Sequence, residues 1–326
     1  MSFIVDCQSH IFPRAYAELL TRNSNALRAT GGDGVYLIDY DGAQRFRLDL
    51  DDYSPARKLR DMDRAGVDMS VISVNIPTPD MLEPELAEMG ARVCNDAIAE
   101  LCALHPDRFV GIASLPLNDA GAAIAELKRA VHELDLRGVF LPSHINGAPV
   151  DEGRFEPIYA RAAELGVPLV LHPTVPIWGS AVSDHSMIPM LGFMVDTSIA
   201  MLRLILSGIM ERHPQLLVLH PHCGGVLPYV MGRVVEQTEV KRRGRDHIRQ
   251  SPRETYRRVY FDLVSPDDLA VDFAYRFAGA DKLLFGSDHP WVTIDAILRH
   301  VRSLDCSGEE MAKILGGNAR ELFGIG

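Results

Sequence analysis

Short apolar runs alternate along the chain with stretches of helical periodicity. Eight runs bounded by turn residues are strand candidates, at 3–10, 67–75, 109–116, 136–144, 168–173, 216–222, 259–265 and 282–289. Most are near-continuous in Val, Ile, Leu and Phe, the pattern of parallel strands covered on both faces. Amphipathic segments lie between them, including 81–104, 119–134, 153–165 and 197–213. Eight such alternations predict an α/β fold, a (β/α)8 TIM barrel, with residues 1–326 forming one domain. An open doubly wound sheet is the alternative. The Gly-rich G-x-G-x-x-G turn that usually follows the first strand of such a sheet is absent.

Two stretches break the rhythm. Residues 13–52 hold no convincing helix, and VYLIDY, then DGA, then QRFRLDL reads as a hairpin turning at Asp41-Gly42. This is expected to be a small insertion at the barrel mouth, following the first strand. Residues 174–196 are rich in Pro, Gly and Ser and form a candidate active-site loop.

Composition narrows the partners and the compartment. Lys plus Arg number 33 against 44 for Asp plus Glu, a net charge of −11 that argues against nucleic-acid and anionic-membrane partners. The one basic cluster, Lys241, Arg242, Arg243 and Arg245, reads as a solvated helix end. Asp6 arrives before a signal-peptide apolar region could form, and no run approaches the roughly 18 residues of a membrane span. Five scattered cysteines without a C-x-x-C pair suit reduced thiols rather than a disulfide frame or structural zinc. A soluble cytoplasmic protein is expected.

In a TIM barrel the chemistry sits at the C-terminal strand ends. The first strand candidate ends in Gln8 and His10, the fourth in His144, the fifth in His172, the sixth in His220 and His222, and the eighth in Asp288 and His289. A single histidine at a strand end is ordinarily a hydrogen-bonded or surface residue; five of eight ends bearing one points to a metal. Side chains alternate along a strand, so Gln8 and His10 share a face, as do His220 and His222. Imidazole and carboxylate are what Zn²⁺ or a similar divalent ion takes, and Asp288 fits as a metal ligand or as a proton carrier beside the metal.

These residues lie in an ordered set of motifs. The set comprises D-x-x-x-H from Asp6 to His10, P-L-V-L-H-P with His172, H-P-x-L-x-x-x-x-x-H-C-G-G-x-L-P-Y with His222, L-F-G-S-D-H-P-W with Asp288, and the closing I-L-G-G-N-A-R-E-L-F. The segment from Tyr53 to Ser73 adds a helix and strand. The set resembles the amidohydrolase superfamily, in the branch typified by aminocarboxymuconate semialdehyde decarboxylase and the benzoate-type nonoxidative decarboxylases. The resemblance implies metal ligation by His10, His172 and Asp288, and an acid/base or ligand role for His222, with His220 as its neighbour. It also implies a homodimer. The family has His or Glu where this chain has Gln8, whose neutral amide oxygen is a poorer zinc ligand. Three outcomes follow: Gln8 coordinates weakly, the other three residues hold the metal with an added water, or the site has lost its metal.

The resemblance favours a metal-dependent nonoxidative decarboxylase of a small aromatic or unsaturated carboxylic acid. One Zn²⁺, or else Mn²⁺, acts as Lewis acid, and Asp288 and His222 transfer the proton. The same residues would serve a hydrolase or hydratase that activates water, and a metal-poor barrel that only binds a ligand is a third reading. Candidate substrate contacts are Trp178 and Trp291 as aromatic walls, Phe12 and Arg14 just beyond His10, and His144. Arg233 and Asn318 read as structural, and Cys223 should face away from the site.

Overall fold

The computed structural model describes residues 3–326. Met1 and Ser2, part of the segment read above for a leader, lie outside the described residues. Each of the eight apolar runs contains a strand. In chain order these are β1 Val5–Ile11, β2 Met69–Val74, β3 Phe109–Gly111, β4 Val139–Pro142, β5 Leu169–His172, β6 Val218–His220, β7 Tyr260–Asp262 and β8 Leu283–Leu284. All pair in parallel, β1 to β2 to β3 in one group and β4 to β8 in sequence in the other.

Backbone contacts join the two groups at both gaps. Ala113 bridges Val139, with Phe140 N donating to Ala113 O at 2.8 Å; Ser9 bridges His289, with Cys7 N donating to Phe285 O at 2.9 Å. The ring of eight strands is therefore closed, and the open-sheet alternative falls. A helix follows every strand: Pro55–Ala65, Pro84–Leu104, Ala120–His132, Glu156–Leu165, Phe193–Leu206, Leu227–Val235, Asp268–Ala278 and Ile294–Arg302. The barrel interior is filled by Val5, Cys7, Val71, Ile112, Phe140, Val170, Leu219 and Leu284, and closed below by Leu322 and Phe323 of the last helix.

The insertion is larger than the hairpin read from sequence. Val35–Tyr40 and Arg45–Asp49 pair antiparallel around Asp41 and Gly42, both at positive φ (50° and 79°). A further strand, Leu27–Gly32, pairs with Val35–Tyr40 through a second Asp-Gly turn at Asp33-Gly34, and a short helix, Arg14–Leu20, precedes it.

The 174–196 excursion is also partly helical. A π-helical turn at Ile188–Gly192 runs directly into Phe193–Leu206. Ile188–Leu206 spans 19 residues of mean hydropathy 1.5, which corrects the expectation that no segment reaches membrane-span length. Half of it is buried, and Ala200, Met201, Leu204 and Ile205 join the main core, which accounts for its apolar character.

Candidate active site

β1 does not run straight into the mouth. Its register with β2 shifts between Asp6 and Ser9, so that a bulge lets Cys7 pack inside the barrel while His10, three residues on, also reaches the centre. His10 is fully buried. Its Nδ1 lies 2.9 Å from Ser73 Oγ on β2, and its Nε2 lies 3.1 Å from Asp288 Oδ1 and 3.2 Å from His172 Nε2. His172 donates from Nδ1 to Pro173 O at 2.8 Å, which leaves the Nε2 lone pair facing His10. One ligand atom from each of His10, His172 and Asp288 lies within 4.8 Å of the others.

Two facing loops complete the centre, each under backbone strain. Asp288 sits at φ 61°, its N–H held by Gln8 O at 2.9 Å. His222 and Cys223 sit at φ 56° and 58°, with His222 N donating to Asp262 Oδ1 at 2.7 Å. Non-glycine residues at such angles cost about 1–3 kcal/mol each and gather at functional sites. The glycines of H-C-G-G have a packing reason: a Cβ on Gly225 would lie 2.5 Å from Met194 O, and one on Gly224 would lie 2.7 Å from Tyr256 Oη, both at positive φ.

His222 Nε2 lies 3.8 Å from Asp288 Oδ2, and its Nδ1 is buried without a partner. Burial lowers its pKa, but Asp288 and Asp262 outweigh burial and raise it above the ordinary histidine value. Burial pushes Asp288 up, and the histidines on either side overcome that and hold it well below the carboxylate range. His172 is lowered to about 3 by burial and by His10. His220 is lowered to about 3 by burial and bonds Tyr256 Oη through Nδ1 at 2.9 Å, leaving it outside the convergent group.

The residues present fit a divalent cation. Three ligand atoms from three strand ends converge in a buried spot, and His172 shows the second-nitrogen hydrogen bond to a carbonyl typical of metal-bound imidazole. Gln8, 4% exposed, lies within the bulge, so the simple alternation that would set it on the face of His10 does not apply; both its amide atoms are buried and without partners.

Beneath the site lies a network of which the sequence reading named His289 and Asp6 but not its centre, Lys58. Lys58, fully buried on the helix Pro55–Ala65, donates to Ser9 Oγ and to His289 Nδ1 (2.9 Å); His289 Nε2 then donates to Asp61 Oδ2 at 2.9 Å. Burial lowers Lys58 to about 7 against the opposing pull of Asp6, Asp61 and Asp288. Asp6, pushed up to about 6 by burial, accepts from Ser287 N and Oγ at 2.8 and 2.6 Å. These bonds fasten β1 to the loop carrying Asp288. Lys58→Met leaves Ser9 and His289 without their buried donor and Asp6 without its nearby cation, and is expected to cost about 3 kcal/mol of stability. Denaturant unfolding checks this; an unchanged midpoint contradicts it.

A cavity of about 500 Å³ opens onto His172, His222 and Asp288. Trp291 lines it, packed edge-on against Phe46 of the insertion with ring centroids 5.9 Å apart. Cys223 also lines it, and burial raises its thiol well above the ordinary range. The other sequence candidates lie outside the lining. Phe12 packs on Tyr16 and Tyr53 in the core, and Arg14 is exposed beside Gly34, because the chain turns into the helix Arg14–Leu20 straight after Pro13. His144 spends both ring nitrogens on backbone, Nε2 on Val175 O (2.8 Å) and Nδ1 on Gly147 N (3.0 Å). Trp178 donates to Asp196 Oδ1 at 3.1 Å, pinning its loop to the helix Phe193–Leu206. Asn318 Nδ2 bonds Ala280 O and Leu283 O, both at 2.7 Å, and Arg233 is exposed. Missed by the sequence reading were Asn75, Gln44 and Phe46; Asn75 ends the second apolar run and so carried the same strand-end signal as the histidines.

A closed (β/α)8 barrel with a His-His-Asp centre at its C-terminal rim defines a metal-dependent barrel enzyme. The family profile described as amidohydrolase matches residues 5–325, and the chain belongs to that family. It is 30% identical to the gamma-resorcylate decarboxylase of Rhizobium sp. (strain MTP-10005), over 85% of this chain and 88% of that one. It is 27% identical to a 2-keto-4-carboxy-3-hexenedioate hydratase of Sphingobium sp. (strain NBRC 103272 / SYK-6), over 99% and 96%. A dihydroxybenzoic acid decarboxylase from Polaromonas sp. JS666, solved with bound manganese and the inhibitor 2-nitroresorcinol, superposes with a TM-score of 0.84 at 24% identity, covering 100% of this chain and 98% of that one.

Proposed function

We infer that the protein is a metal-dependent nonoxidative decarboxylase of a small aromatic carboxylic acid. The observation that carries this reading is the His10–His172–Asp288 convergence at the floor of a ring-sized, largely apolar cavity, with His222 3.8 Å from Asp288. His10, His172 and Asp288 would hold one divalent ion, zinc first and manganese second, with the Gln8 amide oxygen as a further neutral donor. When bound, the ion would supply Lewis-acid charge toward the substrate carboxylate.

The chain's own residues do the rest. Phe46 and Trp291 hold the ring plane and exclude water. The Asp288–His222 pair holds a proton at the carbon that bears the carboxylate. Transfer of that proton forms the C–H bond; the C–C bond to the carboxylate then breaks, its electron pair restores the ring, and CO2 leaves.

A hydratase is the second reading, supported by the similarity to the Sphingobium enzyme, and it uses the same pair to move a proton from water. Incubation of metal-loaded protein with a panel of hydroxybenzoates and non-aromatic unsaturated keto acids separates the two. The expected result is CO2 matched by decarboxylated ring product; addition of water with the carboxylate retained would establish the hydratase.

We place the enzyme in the cytoplasm, in keeping with its five unpaired cysteines. We also read it as a homodimer, supported by the exposed apolar side chains Met190, Tyr229, Val240 and Leu269; sedimentation equilibrium showing only monomer would remove that element.

A further inference from the structure

We propose that the substrate is an aromatic monocarboxylate whose ring carries hydroxyl and apolar substituents, and that the pocket rejects acids bearing a second carboxylate. This rests on the decarboxylase reading and adds the substrate class.

The argument starts from charge. Among the described residues lining the cavity there is no lysine or arginine. The basic residues that the chain carries nearby are turned elsewhere by strand alternation. In Arg45–Asp49, Arg45 and Arg47 are exposed and paired with Asp39 and Asp49, so Gln44 and Phe46, at the alternate positions, face the cavity. Lys58 is beneath the site with its ammonium committed to Ser9 and His289. Cationic character is thus confined to the metal end, which one carboxylate occupies.

Five large apolar side chains, Phe46, Phe193, Met194, Phe273 and Trp291, line the cavity, and Asn75 and Ser265 add only neutral polar groups. A second carboxylate packed against these half-buried and exposed side chains would give up part of its water and find no lysine or arginine, whereas a methyl or larger alkyl group would gain contact area. Two polar groups among the described lining residues lack partners, Nδ1 of His222, the neighbour of Asp288, and the amide oxygen of Gln44. Gln44 Oε1 is buried and accepts no hydrogen bond from the protein, and a carbonyl oxygen accepts from a phenolic hydroxyl but repels a carboxylate.

The test compares a methylsalicylate with the carboxysalicylate that places its second carboxylate where the methyl stood. Both are titrated calorimetrically into the metal-loaded enzyme, and CO2 release is followed for each. The methyl acid is expected to bind about 100-fold tighter or more. Phe273→Arg, at a half-exposed position of the wall, is expected to narrow that ratio about tenfold by supplying the missing cation. Equal or tighter binding of the dicarboxylate, or binding of neither acid, overturns the proposal. Preference for the methyl acid without CO2 from either leaves the selectivity standing and removes the decarboxylase reading.

Discussion

Asp288→Asn lowers the rate of CO2 release by about 10³-fold or more, at a cost to stability small enough that the variant still folds. The carboxylate is the one group that touches both halves of the site, 3.1 Å from His10 and 3.8 Å from His222. Its two roles fail together on substitution. A neutral amide is a weaker metal ligand, and it cannot share a proton with His222; loss of a positioned acid or base alone costs about 10²–10⁴-fold. The fold is spared because asparagine has the same shape, tolerates the positive φ of position 288, and keeps the backbone bond to Gln8 O. Steady-state CO2 release, with metal content and thermal unfolding measured on the same sample, checks this. More than about a tenth of wild-type activity at full metal occupancy would contradict it.

Stripping the metal with a chelator has the second-largest effect. Nε2 of His10 and Nε2 of His172 lie 3.2 Å apart and the Gln8 amide oxygen has no partner in the protein, so a cation held among them is bound by the folded state alone. Metal present at about a thousandfold over its Kd stabilises the folded state by about 4 kcal/mol. Removing it is expected to lower Tm by roughly 5–10 °C for a chain of this length and to abolish CO2 release. Readdition of Zn²⁺ or Mn²⁺ restores both. A Tm unmoved by chelation, together with one divalent ion per chain absent from the purified protein, would revive the ligand-binding barrel.

Much of this architecture is legible in the sequence because the barrel imposes two strong regularities. Buried parallel strands must be apolar throughout, and the chemistry must sit where those runs end. That rule put His10, His172, His222 and Asp288 among the strand-end candidates, the family resemblance singled them out from the others, and the structure brings them together. The rule fails where the chain leaves a strand. Phe12 and Arg14 follow His10 closely in sequence, yet Pro13 starts a helix that carries Arg14 to the exterior. His144 and Trp178 have the right residue types but spend their polar atoms holding loops. Lys58 is invisible for the opposite reason: a lysine in an amphipathic helix reads as solvated, and only the fold reveals Ser9 and His289 above it. The cavity wall depends on which face of the insertion turns inward, a choice that alternation in one short strand leaves open until its partner, Val35–Tyr40, is placed.

The central claim is that the Asp288–His222 pair delivers a proton to the carbon from which CO2 departs. Its most direct test is turnover of a hydroxybenzoate by the metal-loaded enzyme in D2O, followed by NMR. The account requires one deuterium in the product, at the carbon that bore the carboxylate, with one CO2 released per product formed. No CO2 release, or a decarboxylated product without deuterium at that carbon, would contradict it.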